Sequence, residues 1–281
     1  MEFGMDKTGA DNQVSTPTVL DNQALEEWRE ITDLEAEQSA KTASATSTSW
    51  TLITDAVNED SRTSDQSKGL LAKRYWQAVF AYIRASGRSM VLAEDLTQGF
   101  FCDVFLGRNL LSHAQSSRGR FRSLLLSSVR NYLADDFRMR TAKRRMPESG
   151  PVSSLDSVDG SITPSDESEG PEIAFNRIWV EELIQRTKEQ VKLDMTENGQ
   201  EVHWEIFQNR VLAPCLTGCQ PTPHEELADT WGLKGIAQVS NMLVTAKRRF
   251  ARRLLENVRE TIPENFSPSN ELDDLFQALG N

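Results

Sequence analysis

Apolar residues along this chain recur at intervals of three and four, and no stretch of any length alternates apolar with polar at period two. That spacing confines the fold to helices packed on one another, an all-α class. Trp76, Val79, Phe80 and Ile83 fall at i, i+3, i+4 and i+7, and Leu125, Val129, Tyr132 and Leu133 at i, i+4, i+7 and i+8. Between them Leu96, Phe100, Phe101, Val104 and Phe105 predict a third helix, and Trp50, Ile53 and Val57 a short leading one capped by Thr48 or Ser49. These stripes point to a helical bundle.

Charge divides the chain further. Residues 1–46 hold ten acids and three bases and residues 147–176 seven acids and no base, whereas residues 47–146 hold sixteen bases against nine acids. The net charge of −11 therefore hides a basic segment with the footprint of a polyanion-binding domain. Ser, Thr, Ala and acids dominate the start, so residues 1–47 are expected to form a disordered acidic tail. Pro, Gly, Ser and acids make residues 146–171 a flexible acidic linker. Two small helical domains follow from this division, 48–145 and 172–260, with a C-terminal tail at 261–281.

In the second domain Phe175, Ile178, Trp179 and Leu183 share one helix, Trp204, Phe207 and Val211 another, and Pro214 and Gly218 punctuate the chain. Thr222, Pro223 and Glu225 suit Ncap, N1 and N3 of a new helix running through Leu227 and Ala228 to Trp231. Gly232 permits a turn, and a longer helix resumes near Ile236, with Val239, Leu243, Ala246, Phe250 and Leu254 on one face. Helix, tight turn, helix is the helix-turn-helix arrangement.

Two clusters suit nucleic acid. Arg118, Arg120, Arg122, Arg130, Arg138, Arg140, Lys143, Arg144 and Arg145 are interleaved with Phe121, Tyr132 and Phe137. Cations neutralise phosphates and exposed aromatics stack on unpaired bases, although each aromatic taken singly is expected in the core. Lys247, Arg248, Arg249, Arg252 and Arg253 follow the middle of the proposed recognition helix, where they suit phosphate contacts. Gln238, Ser240, Asn241 and Thr245 on its earlier turns carry amide and hydroxyl groups that match base edges in the major groove.

Catalytic and compartment signals point elsewhere. Cys102, Cys215 and Cys219 do not make a disulfide framework, and the N-terminus lacks a signal-peptide pattern, so a soluble protein of the reducing cytoplasm is expected. No apolar run reaches the roughly 18 to 20 residues of a membrane span. Cys215 and Cys219 with His203 and His224 depart from zinc-ligand spacing, and no phosphate loop or nucleophile elbow is present, so neither cofactor, metal nor enzymatic activity is expected.

The run Ala93-Glu94-Asp95-Leu96-Thr97-Gln98-Gly99-Phe100-Phe101 resembles the polymerase-binding helix of extracytoplasmic-function sigma factors, particularly planctomycete-type groups, in which Ala-Glu-Asp-Leu-Thr-Gln-Glu-Phe-Phe is usual. Arg118-Gly119-Arg120-Phe121-Arg122-Ser123-Leu124-Leu125 and Asn131-Tyr132-Leu133-Ala134-Asp135 are similar to the segment that melts and holds the minus-ten promoter element. Glu226-Leu227-Ala228, Trp231-Gly232-Leu233 and Lys247-Arg248-Arg249-Phe250 are similar to the domain that reads the minus-thirty-five element. The resemblance implies a region-2-like bundle, a region-4-like helix-turn-helix, and core RNA polymerase and promoter DNA as partners. It also implies that Glu94, Asp95, Leu96, Thr97, Gln98, Phe100 and Phe101 bind polymerase. A stand-alone helix-turn-helix regulator, or a degenerate sigma homologue serving as a scaffold, is the alternative.

Two departures stand out. Gly99 replaces the usual Glu and weakens the helix by about 1 kcal/mol relative to Ala. The turn after Gly232 reads Leu-Lys-Gly-Ile-Ala in place of Met-Ser-Glu-Gly-Ala. Leu272, Leu275, Phe276 and Leu279 form an amphipathic end expected to pack back on the second domain, with docking of an anti-sigma or other regulatory protein as its alternative role.

Overall fold

The computed structural model describes residues 26, 29–32, 50–58, 61–107, 110–114, 119–145 and 169–279, without the side chains of 61, 62 and 143–145. Among these residues all regular structure is helical. Most of residues 1–47 and 146–171, with the proposed caps Thr48 and Ser49, lie outside the described residues.

α1 (Thr51–Val57) starts behind Trp50, which adopts a left-handed φ of 68°. Its N–H donates to the carbonyl of Arg259 at 3.0 Å, tying the start of the first half to a helix end in the second. α2 (Ser61–Ala85) buries Leu71, Tyr75, Ala78, Val79, Tyr82 and Ile83, one apolar face spread over about 140° of its circumference. Its position is central, for α1 and α3 (Met90–Gly99) pack against it, and so does α5 (Pro171–Glu197). α3 opens on Ser89, whose hydroxyl accepts from the Leu92 N–H at 3.3 Å, and runs on through π-helical turns at Phe100–Gly107. A short 3₁₀ turn at Leu110–His113 precedes α4 (Phe121–Arg145).

In the second half α5 is followed by α6 (Glu201–Phe207), π-helical turns at Gln208–Leu212 and α7 (Ala213–Thr217). Gly218 ends α7 at φ 67°, the left-handed stop that glycine adopts without strain. α8 (His224–Thr230), α9 (Ile236–Arg259) and α10 (Pro268–Leu279) complete the chain.

The two halves expected to stand apart share an interior. Tyr75 of α2 meets Phe121 of α4 edge-on at 5.4 Å and stacks at 6.5 Å on both Phe175 and Trp179 of α5. A single buried cluster runs from Ile31 through α2, α3 and α5 to Phe276 of α10. The composition of the acidic stretch says nothing about whether the helices on either side of it in the chain touch across the two halves; here α2 of the first half and α5 of the second do.

α10 packs back on α5 and α9, as its amphipathic pattern leads one to expect, burying Leu272, Leu275 and Phe276. No helix among the described residues is long and apolar enough to cross a membrane.

Candidate nucleic-acid and partner interfaces

α3 presents two faces. Ala93, Leu96, Thr97, Phe100, Phe101, Val104 and Phe105 point inward, and Phe101 stacks on Trp76 at 5.1 Å. The Thr97 hydroxyl donates to the Ala93 carbonyl at 2.7 Å. Of the residues expected to bind polymerase, Leu96, Thr97, Phe100 and Phe101 are therefore corrected to core positions, unable to meet a partner in this fold. Glu94, Asp95 and Gln98 are exposed. Val91, 69% exposed, and Leu106, 53% exposed, extend this face with apolar groups that sequence reasoning missed. Their signal was their position off the apolar stripe of an otherwise amphipathic helix.

On and just before α4 the cationic set separates by environment. Arg120 pairs with Glu271 at 2.6 Å and Asp274 at 2.6 Å, and its guanidinium lies 5.2 Å from the centre of the Phe266 ring. Arg122 donates to Glu271 at 2.9 Å and to the Asn176 side chain at 2.7 Å. Both largely buried arginines hold α10 against α4, which removes them from the DNA-contacting set in this fold. Arg130 pairs with Glu172, Arg138 with Asp135 at 3.1 Å and Arg140 with Asp136 at 2.9 Å. These three cations are solvent-exposed, so phosphate groups can exchange for their partners at little cost. Arg118 and the side chains of Lys143, Arg144 and Arg145 lie outside the described residues.

The interleaved aromatics also separate. Phe121 is fully buried and Tyr132 half-buried, meeting Phe100 edge-on at 5.7 Å. Phe137 is 60% exposed, on the same helical stretch as the exposed Arg138 and Arg140, and does not join the core as expected of it singly.

α8 and α9, joined by a short turn, have a small core of their own. Leu227 and Ala228 of α8, Val239 of α9 and Ile206 of α6 are buried together, with Leu233 of the turn packed against them. Gly232 (φ 59°) and Gly235 (φ 143°) supply turn conformations that side-chain-bearing residues rarely adopt. The Thr222 cap is corrected by one residue: Pro223, extended at ψ 147°, occupies the N-cap position, and no side chain caps this helix. The Thr222 carbonyl instead accepts from Arg210 at 3.1 Å.

On α9, Asn241, Thr245 and Arg248 are exposed and Ser240, Lys247 and Arg249 half-buried. The Gln238 side-chain oxygen accepts from the Lys234 N–H at 3.0 Å, so that amide closes the turn and is not presented to a base edge. Arg249 pairs with Asp194 at 3.1 Å and Arg253 with Glu256 at 3.1 Å.

No family model, no curated protein and no solved structure matches this chain.

Among the described residues no three His, Cys, Asp or Glu side chains converge as a metal-binding set, and Cys215 is half-buried while Cys219 is exposed. Beside the helix-turn-helix, burial and the neighbouring Arg249 cation hold the His203 imidazole below its ordinary pKa. At the helix junction under Tyr75, burial and then the Arg74 charge lower the Arg186 guanidinium to about 10.

Proposed function

We propose that this chain is a sigma factor of the extracytoplasmic-function type, directing core RNA polymerase to specific promoters, and that it has no enzymatic activity of its own. The observation that supports it most is the α8–α9 helix-turn-helix, closed over Ile206, Leu227, Ala228 and Val239 with a cationic stretch in the second half of its second helix. In this reading α9 lies in the major groove of the upstream element, and the cations of residues 247–253 hold flanking phosphates. Phe137, exposed among arginines, stacks on a base of the melted minus-ten strand. Glu94, Asp95 and Gln98 form the acidic and polar surface that docks on polymerase. The motifs at 93–101 and 118–135 point the same way. Run-off transcription from a promoter library with reconstituted holoenzyme tests the proposal: initiation at a defined subset supports it, and failure to initiate anywhere while the chain stays folded overturns it.

A second reading draws on a specific observation. Tyr75, Phe175 and Trp179 join the two halves, and Glu271 holds Arg120 and Arg122. A chain that kept this shape in action would bind one duplex segment through α8–α9, as a stand-alone regulator, or serve as a scaffold for other proteins. It would then bind duplex DNA in a salt-dependent way without capturing polymerase.

A further inference from the structure

The solvent face of α9 is not uniformly polar. Successive helix residues are offset by about 100°, which places Ile236, Ala237, Ser240, Val244 and Arg248 in one continuous band with Asn241 at its edge. The band lies opposite Val239, Ala246 and Phe250, which are fully buried. Within it Ile236 is 48% and Val244 43% exposed, and Ala237 is exposed as well. A helix this amphipathic otherwise sorts its apolar residues inward, so an apolar line along the middle of its outer face calls for an apolar partner.

Resting on the reading of α8–α9 as a duplex-binding unit, we infer that this band reads thymine 5-methyl groups in the major groove, with Val244 as the principal contact. The thymine methyl is the apolar group that the major groove offers, and Ala, Thr methyl and similar side chains meet it by direct contact. Charge complementarity favours DNA over a protein occupant. The band continues into the cationic stretch at 247–253, one turn further along the same helix, which places phosphate-binding groups beside the apolar line. Asn241, exposed at the edge of the band, matches the adenine edge, and an adenine is the base paired with each thymine read. Gln238, whose amide oxygen is held by the Lys234 N–H, is not part of the reading face. The preferred upstream element is therefore rich in A·T pairs where α9 enters the groove.

The test uses the full chain, alone and with core RNA polymerase, to enrich a random-sequence duplex pool. Each thymine of the winning duplex is then replaced by deoxyuridine, which keeps the hydrogen-bonding edge and lacks the methyl. Affinity should fall about fourfold at a thymine under Val244, the effect of one buried methyl group. Val244→Ala should weaken the thymine duplex by a similar factor and no longer distinguish uracil. Ala is the better helix former, so its thermal melt should hold or rise. An enriched duplex indifferent to uracil at every position overturns this inference and leaves the helix-turn-helix reading standing. Equal weakening of thymine and uracil duplexes by Val244→Ala also overturns it. Loss of polymerase capture with unchanged duplex affinity would assign the band to a protein. Failure to enrich any duplex under either condition removes the duplex-binding reading and this inference together.

Discussion

The Tyr132 hydroxyl occupies the space in which a side chain at Gly99 would begin: a Cβ built on Gly99 lies 2.4 Å from that oxygen. Tyr132 crosses from α4 to α3 and is steadied by its edge-on contact with Phe100 at 5.7 Å. The glycine that departs from the sigma-factor pattern is thus explained by packing, at the expense of a weaker helix.

Gly99→Ala should destabilise the fold by about 1 kcal/mol, because overpacking of roughly 1–3 kcal/mol outweighs a helix-propensity gain of about 1. In a Tyr132→Phe background the nearest remaining ring atom is 3.6 Å away, an ordinary contact. There the sign should reverse, with Gly99→Ala stabilising by up to about 1 kcal/mol. Urea denaturation of the four proteins of this cycle checks both signs.

Glu271 is completely buried and faces Arg120 and Arg122. Removing it by Glu271→Ala leaves two largely desolvated guanidinium groups without their shared anion, a loss of about 3–5 kcal/mol. Glu271→Gln should lose less, since the amide oxygen still accepts from Arg122. The midpoints of chemical denaturation should rank wild type above Gln and Gln above Ala.

Much of this architecture was legible because the apolar spacing of α2, α3, α4 and α9 follows from local geometry alone. The turn at Gly232 and the restart at Ile236 were legible for the same reason, since glycine leaves few other uses for that position. The roles of Arg120 and Arg122 were hidden. Their partner Glu271 is 149 residues beyond Arg122 and becomes an ion-pair partner only when α10 folds back. The joining of the halves through Tyr75, Phe175 and Trp179 was hidden for a related reason: an apolar stripe shows that a face is buried without showing against what. Phe137 and Phe121 sit in similar arginine-rich surroundings in the sequence, and only the packing separates an exposed ring from a core one.

Phe137→Ala should change stability by no more than about 0.5 kcal/mol, as for a surface substitution. Phe121→Ala, at a fully buried ring, should cost about 3–5 kcal/mol. Binding of single-stranded oligonucleotide by polymerase-bound chain should nevertheless weaken by about 1–3 kcal/mol in Phe137→Ala, the worth of one stacked base. Fluorescence anisotropy alongside thermal melts separates the two effects.

The His203 imidazole is held below its ordinary value of 6.5 by burial and by Arg249, so the unfolded chain binds its proton more readily than the folded one. Stability should therefore fall as pH drops through 6.5 toward the folded-state value, and be independent of this group above 6.5. His203→Gln should flatten that slope. Arg249→Gln should raise the His203 pKa, read by NMR titration of the imidazole.

Co-elution of the full chain with core RNA polymerase on a sizing column, repeated with Asp95→Arg, tests the central claim most directly. Asp95 is exposed, so the substitution leaves the fold intact while cancelling the negative charge of the proposed docking face of Glu94, Asp95 and Gln98. The wild-type chain should travel with polymerase and the variant should elute alone. A wild-type chain that never joins polymerase, or a variant that joins it equally well, would contradict the account.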